Sequence, residues 1–412
     1  MKLLKKISLV LAAVMAVSVG GLAVGCAPAD EGNVNNPPIE KPDDEKPDDE
    51  KPDDENPGGE NPGGENPDEE TPSEPGHDPE TLKVAGTQDE YEPHDFEDGV
   101  CTICGTTTVF TTDQIGKTDI VQNECDEKGT IETVTYTYNS PNGTSYEKTM
   151  YVYLPAGYDP EDTQTKYDVL YMLHGMGLNE GFWFAKGTYT PEASNYQGQY
   201  GTENLLDNMM KEGMAKKAIC VTPTYYLNAQ SDQDNAFDKE LTQVIMPLIA
   251  QKYNTYAEVT DDMTAEQVDA ALKANRDHQG YIGLSLGGMY SMSYIWGSCL
   301  EYISWIGTFS GSVGGETIDE LIEAKNTEYA DCDINYWYVA IGATEANKNP
   351  QEYPGDPFGT YISFIQGVDG LNPGSDIANG DNCEYVTISR GGHNYANWIT
   401  CLYNCLLVFF QS

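Results

Sequence analysis

The chain is 412 residues long and carries a net charge of −45, with 67 acidic residues against 22 basic ones. Only part of that charge sits in a low-complexity stretch near the N-terminus, so the body of the protein is itself acidic. Nucleic acid and other polyanions are thereby excluded as partners, because no basic patch exists to release their counterions.

In chain order, Lys2, Lys5 and Lys6 precede an apolar run over residues 7–24, the layout of an export signal. The run closes on Leu22-Ala23-Val24-Gly25-Cys26, which resembles the lipobox of bacterial lipoproteins, where the cysteine is lipidated and becomes the mature N-terminus. Residues 1–26 are therefore expected to be a lipoprotein signal, with Cys26 as the membrane anchor and the protein on the cell surface. An uncleaved signal anchor is the alternative, since the run is just long enough to cross a bilayer. Residues 27–82 follow as a linker. Lys-Pro-Asp-Asp-Glu recurs from Lys41 to Glu55 and Asn-Pro-Gly-Gly-Glu follows it. Proline at every fifth position and dense like charge forbid a packed core and favour an extended, disordered spacer.

Residues 83–125 read as a small Cys/His-containing segment. His94, Cys101 and Cys104 resemble part of a zinc knuckle, and Cys125 could supply a fourth ligand. A small disulfide or a reduced turn accounts for the same residues. Of the ten cysteines, lipidation of Cys26 would leave an odd number. Cys332 and Cys383 are a possible pair, while Cys401 and Cys405 sit four apart in a probable helix, as two buried small side chains do.

From residue 126 to 412 the pattern is that of an α/β domain. Strands are expected over 131–138, 149–154, 167–173, 218–223, 281–284, 303–309, 336–341 and 384–389. Several are short continuous apolar runs, the mark of parallel strands buried on both faces. Helical patterns lie between them at 203–211 and 237–253, the latter with a kink expected at Pro247. A capping box opens a further helix at Thr264-Ala-Glu-Gln267. Strands alternating with helices give a mostly parallel sheet covered on both faces; with a Gly-x-Ser-x-Gly turn between strand and helix at residues 283–287, the expected fold is that of the α/β-hydrolases.

The chemistry concentrates at Gly283-Leu284-Ser285-Leu286-Gly287, a nucleophile-elbow pattern between a strand and a helix. A serine hydroxyl needs a base, and the chain has five histidines. His77 and His94 lie outside the domain, and His278 lies at the wrong end of the nucleophile strand. His174 precedes the nucleophile in a His-Gly motif, which leaves His393 in the loop after the last strand. The order nucleophile, acid, histidine then asks for a carboxylate after the penultimate strand. Glu345 fits that place better than Asp376 or Asp381, which fall on the approach to the last strand. His174-Gly-Met176-Gly, after an apolar strand, can aim the Met176 N–H at an oxyanion, with Leu286 as second donor. Trp183, in Phe-Trp-Phe, is a candidate to touch substrate, against the alternative of core packing, and His174 is another, against the alternative of a hydrogen-bonded structural residue. The Gly-, Pro- and Asn-rich stretch 347–382 is a candidate lid over the site.

These residues resemble the feruloyl esterase and esterase D-like family. The resemblance rests on Leu154-Pro-Ala-Gly-Tyr158, Tyr167 to Gly175, Asn179, Trp183, Glu240 to Tyr253, Arg276, and His393-Asn394 with Trp398. It spans most of residues 130–410. Close relatives carry an aspartate where this chain aligns Glu345. The resemblance implies a serine hydrolase without metal or organic cofactor, acting on feruloyl or acetyl esters of plant polysaccharides of the xylan type. Acyl transfer, a non-plant ester, and a non-catalytic polysaccharide-binding lipoprotein stay open as alternatives. The oligomeric state is not fixed by the sequence.

Overall fold

The computed structural model describes residues 118–411 except 188–200, 229–231, 313–314, 343–344, 346–356, 375–376 and 389–390, together with residue 115 and four short strands before it. Those are β1 (Leu82–Lys83), β2 (Phe96–Glu97), β3 (Val100–Cys101) and β4 (Phe110–Thr112). The main strands are β5 (Thr130–Asn139), β6 (Ser145–Leu154), β7 (Asp168–Leu173), β8 (Ala218–Thr222), β9 (Gln279–Leu284), β10 (Trp305–Phe309), β11 (Tyr336–Gly342) and β12 (Cys383–Ile388). All eight strands expected from the sequence are present. The signal, Cys26, the linker up to residue 81, His94 and Cys104 lie outside the described residues.

Ten strands form one sheet in the order β1-β4-β12-β11-β10-β9-β7-β8-β6-β5. Every neighbouring pair from β1 to β8 is parallel, and the β5–β6 hairpin adds antiparallel to β8. Central strands β7, β9 and β11 are buried along their whole length, which is why they read as unbroken apolar runs. From β9 the chain winds outward one way through β10, β11 and β12, whereas β7 leads to β8 on the other side. The direction of winding thus changes between β7 and β9, and in open α/β sheets the crevice at the carboxyl ends of such strands is where ligands bind.

The helices covering the sheet follow their local chemistry. Helix α1 (Thr202–Lys211) is amphipathic, with Leu205, Leu206 and Met209 buried. Helix α2 runs from Phe237–Glu240 through a π-helical turn at Leu241–Ile245 into Met246–Lys252. The widened turn falls just before Pro247, whose missing N–H breaks the regular ladder there. Helix α3 (Ala265–Ala274) opens with the reciprocal bonds of a capping box between Thr264 and Gln267. Helix α4 (Leu286–Tyr290) follows β9 and passes into a π-helical stretch, Ser291–Cys299. Helices α5 (Gly315–Thr327), α6 (Pro357–Gly367) and α7 (Tyr395–Val408) complete the layers.

Residue 115 and residues 118–125, assigned by sequence to the small Cys/His segment, pack on this body. Val121 and Cys125 are buried, the Ile115 N–H donates to Thr400 Oγ1 at 3.1 Å, and Asn208 on α1 donates to Ile120 and Asn123 carbonyls. Strand β4 likewise extends the main sheet beside β12. The pairing of Cys332 with Cys383 that the sequence left open does not occur, for both are free thiols, and Cys401 and Cys405 are buried within α7. Among the described residues no helix is long and apolar enough to cross a membrane.

Candidate active site

Strand β9 delivers Ser285 at φ 54° and ψ −117°, a region that a side-chain-bearing residue enters only under constraint. Its N–H donates to the Phe309 carbonyl at 2.8 Å, and its own carbonyl accepts from the Met289 N–H at 2.9 Å. The flanking glycines are a steric requirement. A Cβ at Gly283 would lie 2.1 Å from the Gly287 oxygen, and one at Gly287 would lie 2.6 Å from the His174 oxygen. The Gly-x-Ser-x-Gly pattern thus reports how tightly β9 turns into α4 beneath the neighbouring loop.

The loop after β12 carries His393 over this turn. Its Nε2 is 2.9 Å from Ser285 Oγ, and its Nδ1 is 2.7 Å from Glu345 Oε2. A carboxylate can only accept, so Nδ1 bears the hydrogen and Nε2 is free to take the serine proton. Glu345, just past β11, is 4% exposed. Its second oxygen, Oε1, accepts from Ser310 Oγ at 2.9 Å, the Gly342 N–H at 3.1 Å and Asn397 Nδ2 at 3.4 Å. Ser285, His393 and Glu345 are therefore brought together as a hydrogen-bonded chain. Asp381 instead lies against Gly374, and Asp376 is outside the described residues.

The His-Gly turn after β7 abuts the nucleophile. A Cβ at Gly175 would fall 2.9 Å from Ser285 Cβ, which puts Met176 and Leu286 on the two backbone segments that meet at the serine. His174 is not a substrate contact. It is 1% exposed, packs against both Tyr225 and Tyr226, and spends both ring nitrogens internally, Nδ1 on Gly175 O at 2.8 Å and Nε2 on Thr224 Oγ1 at 2.8 Å. Burial holds it neutral, with its pKa pushed down to about 3. Tyr226 also receives the Gly177 N–H at 2.9 Å, so this loop is fastened at two points.

Trp183 also departs from the expectation of a substrate platform, being 0% exposed. Its neighbours Phe182 and Phe184 are core residues, Phe182 packing edge-on to Tyr395 and Trp398 and Phe184 stacking on Tyr153. The candidate lid departs as well, for its middle is helix α6. Phe364 on that helix sits edge-on to Trp296 at 4.8 Å and Trp337 at 5.1 Å, making α6 the crossover between parallel strands β11 and β12. Cys101 lies on β3, paired with Phe96, and among the described residues no group of three or more His, Cys, Asp or Glu is arranged to hold a metal.

Sequence reasoning missed Ser310, Asn397 and Thr224. Ser310 stands at the carboxyl end of β10, beside β9, which is the one signal that could have found it.

A family described as "Putative esterase" matches residues 142–313. Endo-1,4-beta-xylanase Y of Acetivibrio thermocellus is 29% identical over 303 residues, 71% of this chain and 24% of that protein. An endo-1,4-beta-xylanase/feruloyl esterase of Xylanibacter ruminicola is 28% identical over 289 residues, 66% of this chain and 30% of the relative. The chain thus spans less than a third of either relative. Among solved structures, a serine-to-alanine mutant of the feruloyl esterase module from Clostridium thermocellum, complexed with sinapinate, superposes with a TM-score of 0.56 at 27% identity, over 73% of this chain and 94% of that one. With the elbow, the parallel sheet and the order of the three side chains already in place, the chain has the α/β-hydrolase fold and is similar to esterases, feruloyl esterase modules among them.

Proposed function

We propose that the protein is a serine esterase that hydrolyses feruloyl or acetyl esters of xylan-type plant polysaccharides through an acyl-enzyme. The observation that carries the reading is His393 bridging Ser285 at 2.9 Å and Glu345 at 2.7 Å, with the serine held at φ 54° on a strand–helix turn. His393 takes the Ser285 proton as the oxygen attacks the ester carbonyl, and Glu345 holds the imidazole in the tautomer that allows it. The backbone N–H groups of Met176 and Leu286 receive the oxyanion, each worth about 3 kcal/mol of transition-state stabilisation. His393 then gives its proton to the leaving sugar hydroxyl, and water, deprotonated in turn by His393, releases the acid.

The polysaccharide-ester assignment is supported by the xylanase and feruloyl esterase relatives, and the acidic body suits a neutral rather than an anionic polymer. Cys26 and the acidic linker support a lipid-anchored enzyme held away from the cell surface. The test is turnover of methyl ferulate by the full-length chain beside Ser285→Ala. Loss of turnover with loss of fluorophosphonate labelling supports the assignment of the nucleophile, and turnover retained by the variant removes it.

A further inference from the structure

Ser310 ends β10 at φ 48°, a left-handed conformation that a serine adopts only under constraint. Its backbone N–H is tied to the Ala340 carbonyl at 2.7 Å, so the residue is fixed between β10 and β11. Its hydroxyl meets three groups: Glu345 Oε1 at 2.9 Å, Trp398 Nε1 at 3.1 Å and Asn397 Nδ2 at 3.3 Å. The indole N–H and the amide NH₂ can only donate, and together they take both lone pairs of the hydroxyl oxygen. The hydroxyl hydrogen is left one acceptor, the Glu345 carboxylate. Its direction is therefore forced by the donors behind it.

The effect reaches the base by two routes. With Ser310, Gly342 and Asn397 all donating to Oε1, the other carboxylate oxygen is kept for His393. Trp398, which orients Ser310, also packs its ring edge-on to the His393 imidazole, 5.2 Å between centroids and 85° between planes. A glutamate has one more rotatable bond than an aspartate, so it needs such a hold to keep its carboxylate aimed.

Resting on the triad reading above, we propose that Ser310 is a positioning residue of this esterase: it fixes the carboxylate of Glu345, and Trp398 sets the direction of its hydroxyl.

The experiment compares the full-length wild type with Ser310→Gly and Trp398→Phe on 4-nitrophenyl acetate, beside Ser285→Ala. Glycine accepts φ 48° without strain and removes the hydroxyl. Phenylalanine keeps a ring against His393 and removes the N–H. A lost hydrogen bond to a charged group predicts a fall in kcat of about 10- to 100-fold for Ser310→Gly, with KM within about twofold. Trp398→Phe should lower kcat by a smaller factor, about three- to tenfold, again without a KM change. A wild-type kcat in Ser310→Gly, or a loss confined to KM, overturns the inference. Should that variant not fold, a wild-type kcat in Trp398→Phe overturns it. Activity kept by Ser285→Ala would instead strike the triad reading itself.

Discussion

Gly175 lies so close to Ser285 that a Cβ at residue 175 would sit 2.9 Å from the serine's own Cβ, and equally close to Leu284 Cδ1. Contacts this short between carbon atoms force one of the two segments to move. The backbone at Gly175 and Met176, between the two points that fasten the turn, has to give, because Ser285 is pinned by β9 and the Phe309 carbonyl. Gly175→Ala should therefore carry the Met176 N–H away from the reacting carbonyl. A loss of about 100-fold in kcat is expected, the effect of removing or misplacing one oxyanion donor. Steady-state kinetics on an activated ester measure it, and thermal melting checks that the fold is kept.

The strained turn at Ser285 makes a second prediction, which concerns stability. Ser285→Ala and Ser285→Gly should both lose on the order of 10⁶ in kcat. Alanine still has to occupy φ 54°, whereas glycine occupies it freely. The glycine variant should then be more stable than the alanine variant by about 1–3 kcal/mol. Denaturant unfolding of the pair measures the gap, and equal stabilities would mean that the elbow carries no strain.

His174 supplies a pH dependence whose sign is fixed. Burial lowers its pKa from 6.5 to about 3. Between these values the unfolded chain binds a proton that the native imidazole refuses. The contribution of the neutral residue is therefore complete above pH 6.5 and declines as the pH falls toward 3. Other buried groups titrate too, so the comparison is with His174→Asn, which has no such proton. The stability advantage of wild type over that variant should shrink by about 2–3 kcal/mol between pH 7 and about pH 4.5. An advantage independent of pH would show that His174 takes up its proton as readily in the fold as in the unfolded chain.

Behind His174 lies a buried ion pair. Lys148 Nζ is 2.6 Å from Glu240 Oε2, with side-chain exposures of 1% and 0%, and it also donates to the Thr224 carbonyl at 2.8 Å. Tyr136 donates to the other carboxylate oxygen of Glu240 at 2.6 Å. Burial pushes Lys148 down and Glu240 up, each opposed by the partner's charge. Lys148→Met alone should cost about 3–5 kcal/mol, because it strands a buried carboxylate. Adding Glu240→Leu should recover most of that loss. Chemical denaturation of the two variants decides, and a double variant no better than the single one would place the cost in packing.

The same pair explains one gap in what the sequence revealed. Strand β6 begins at Ser145, four residues before the expected start, because Tyr146-Glu147-Lys148 reads as solvated. Lys148 is in fact buried by a partner 92 positions away, which no local pattern can announce. Strands β7 and β9 were legible for the opposite reason: every side chain is buried, so an unbroken apolar run carries the message. Ser285 and His393 were found through a motif and a shortage of histidines. Trp183 left two readings open, since an aromatic beside the active-site turn looks the same whether it faces the cleft or the core. Helix α6 was hidden by the glycines and prolines around Tyr361 and Phe364. Ser310 left no trace beyond its place at a strand end, because what matters there is the direction of one hydroxyl.

The most direct test of the account is release of acid from feruloylated, acetylated arabinoxylan by the full-length chain, measured beside Ser285→Ala. Ferulate or acetate released by the wild type and not by the variant is the predicted result, and the acid that appears names the acyl group. Covalent labelling of Ser285 with neither acid released would leave the nucleophile standing and contradict the polysaccharide-ester assignment.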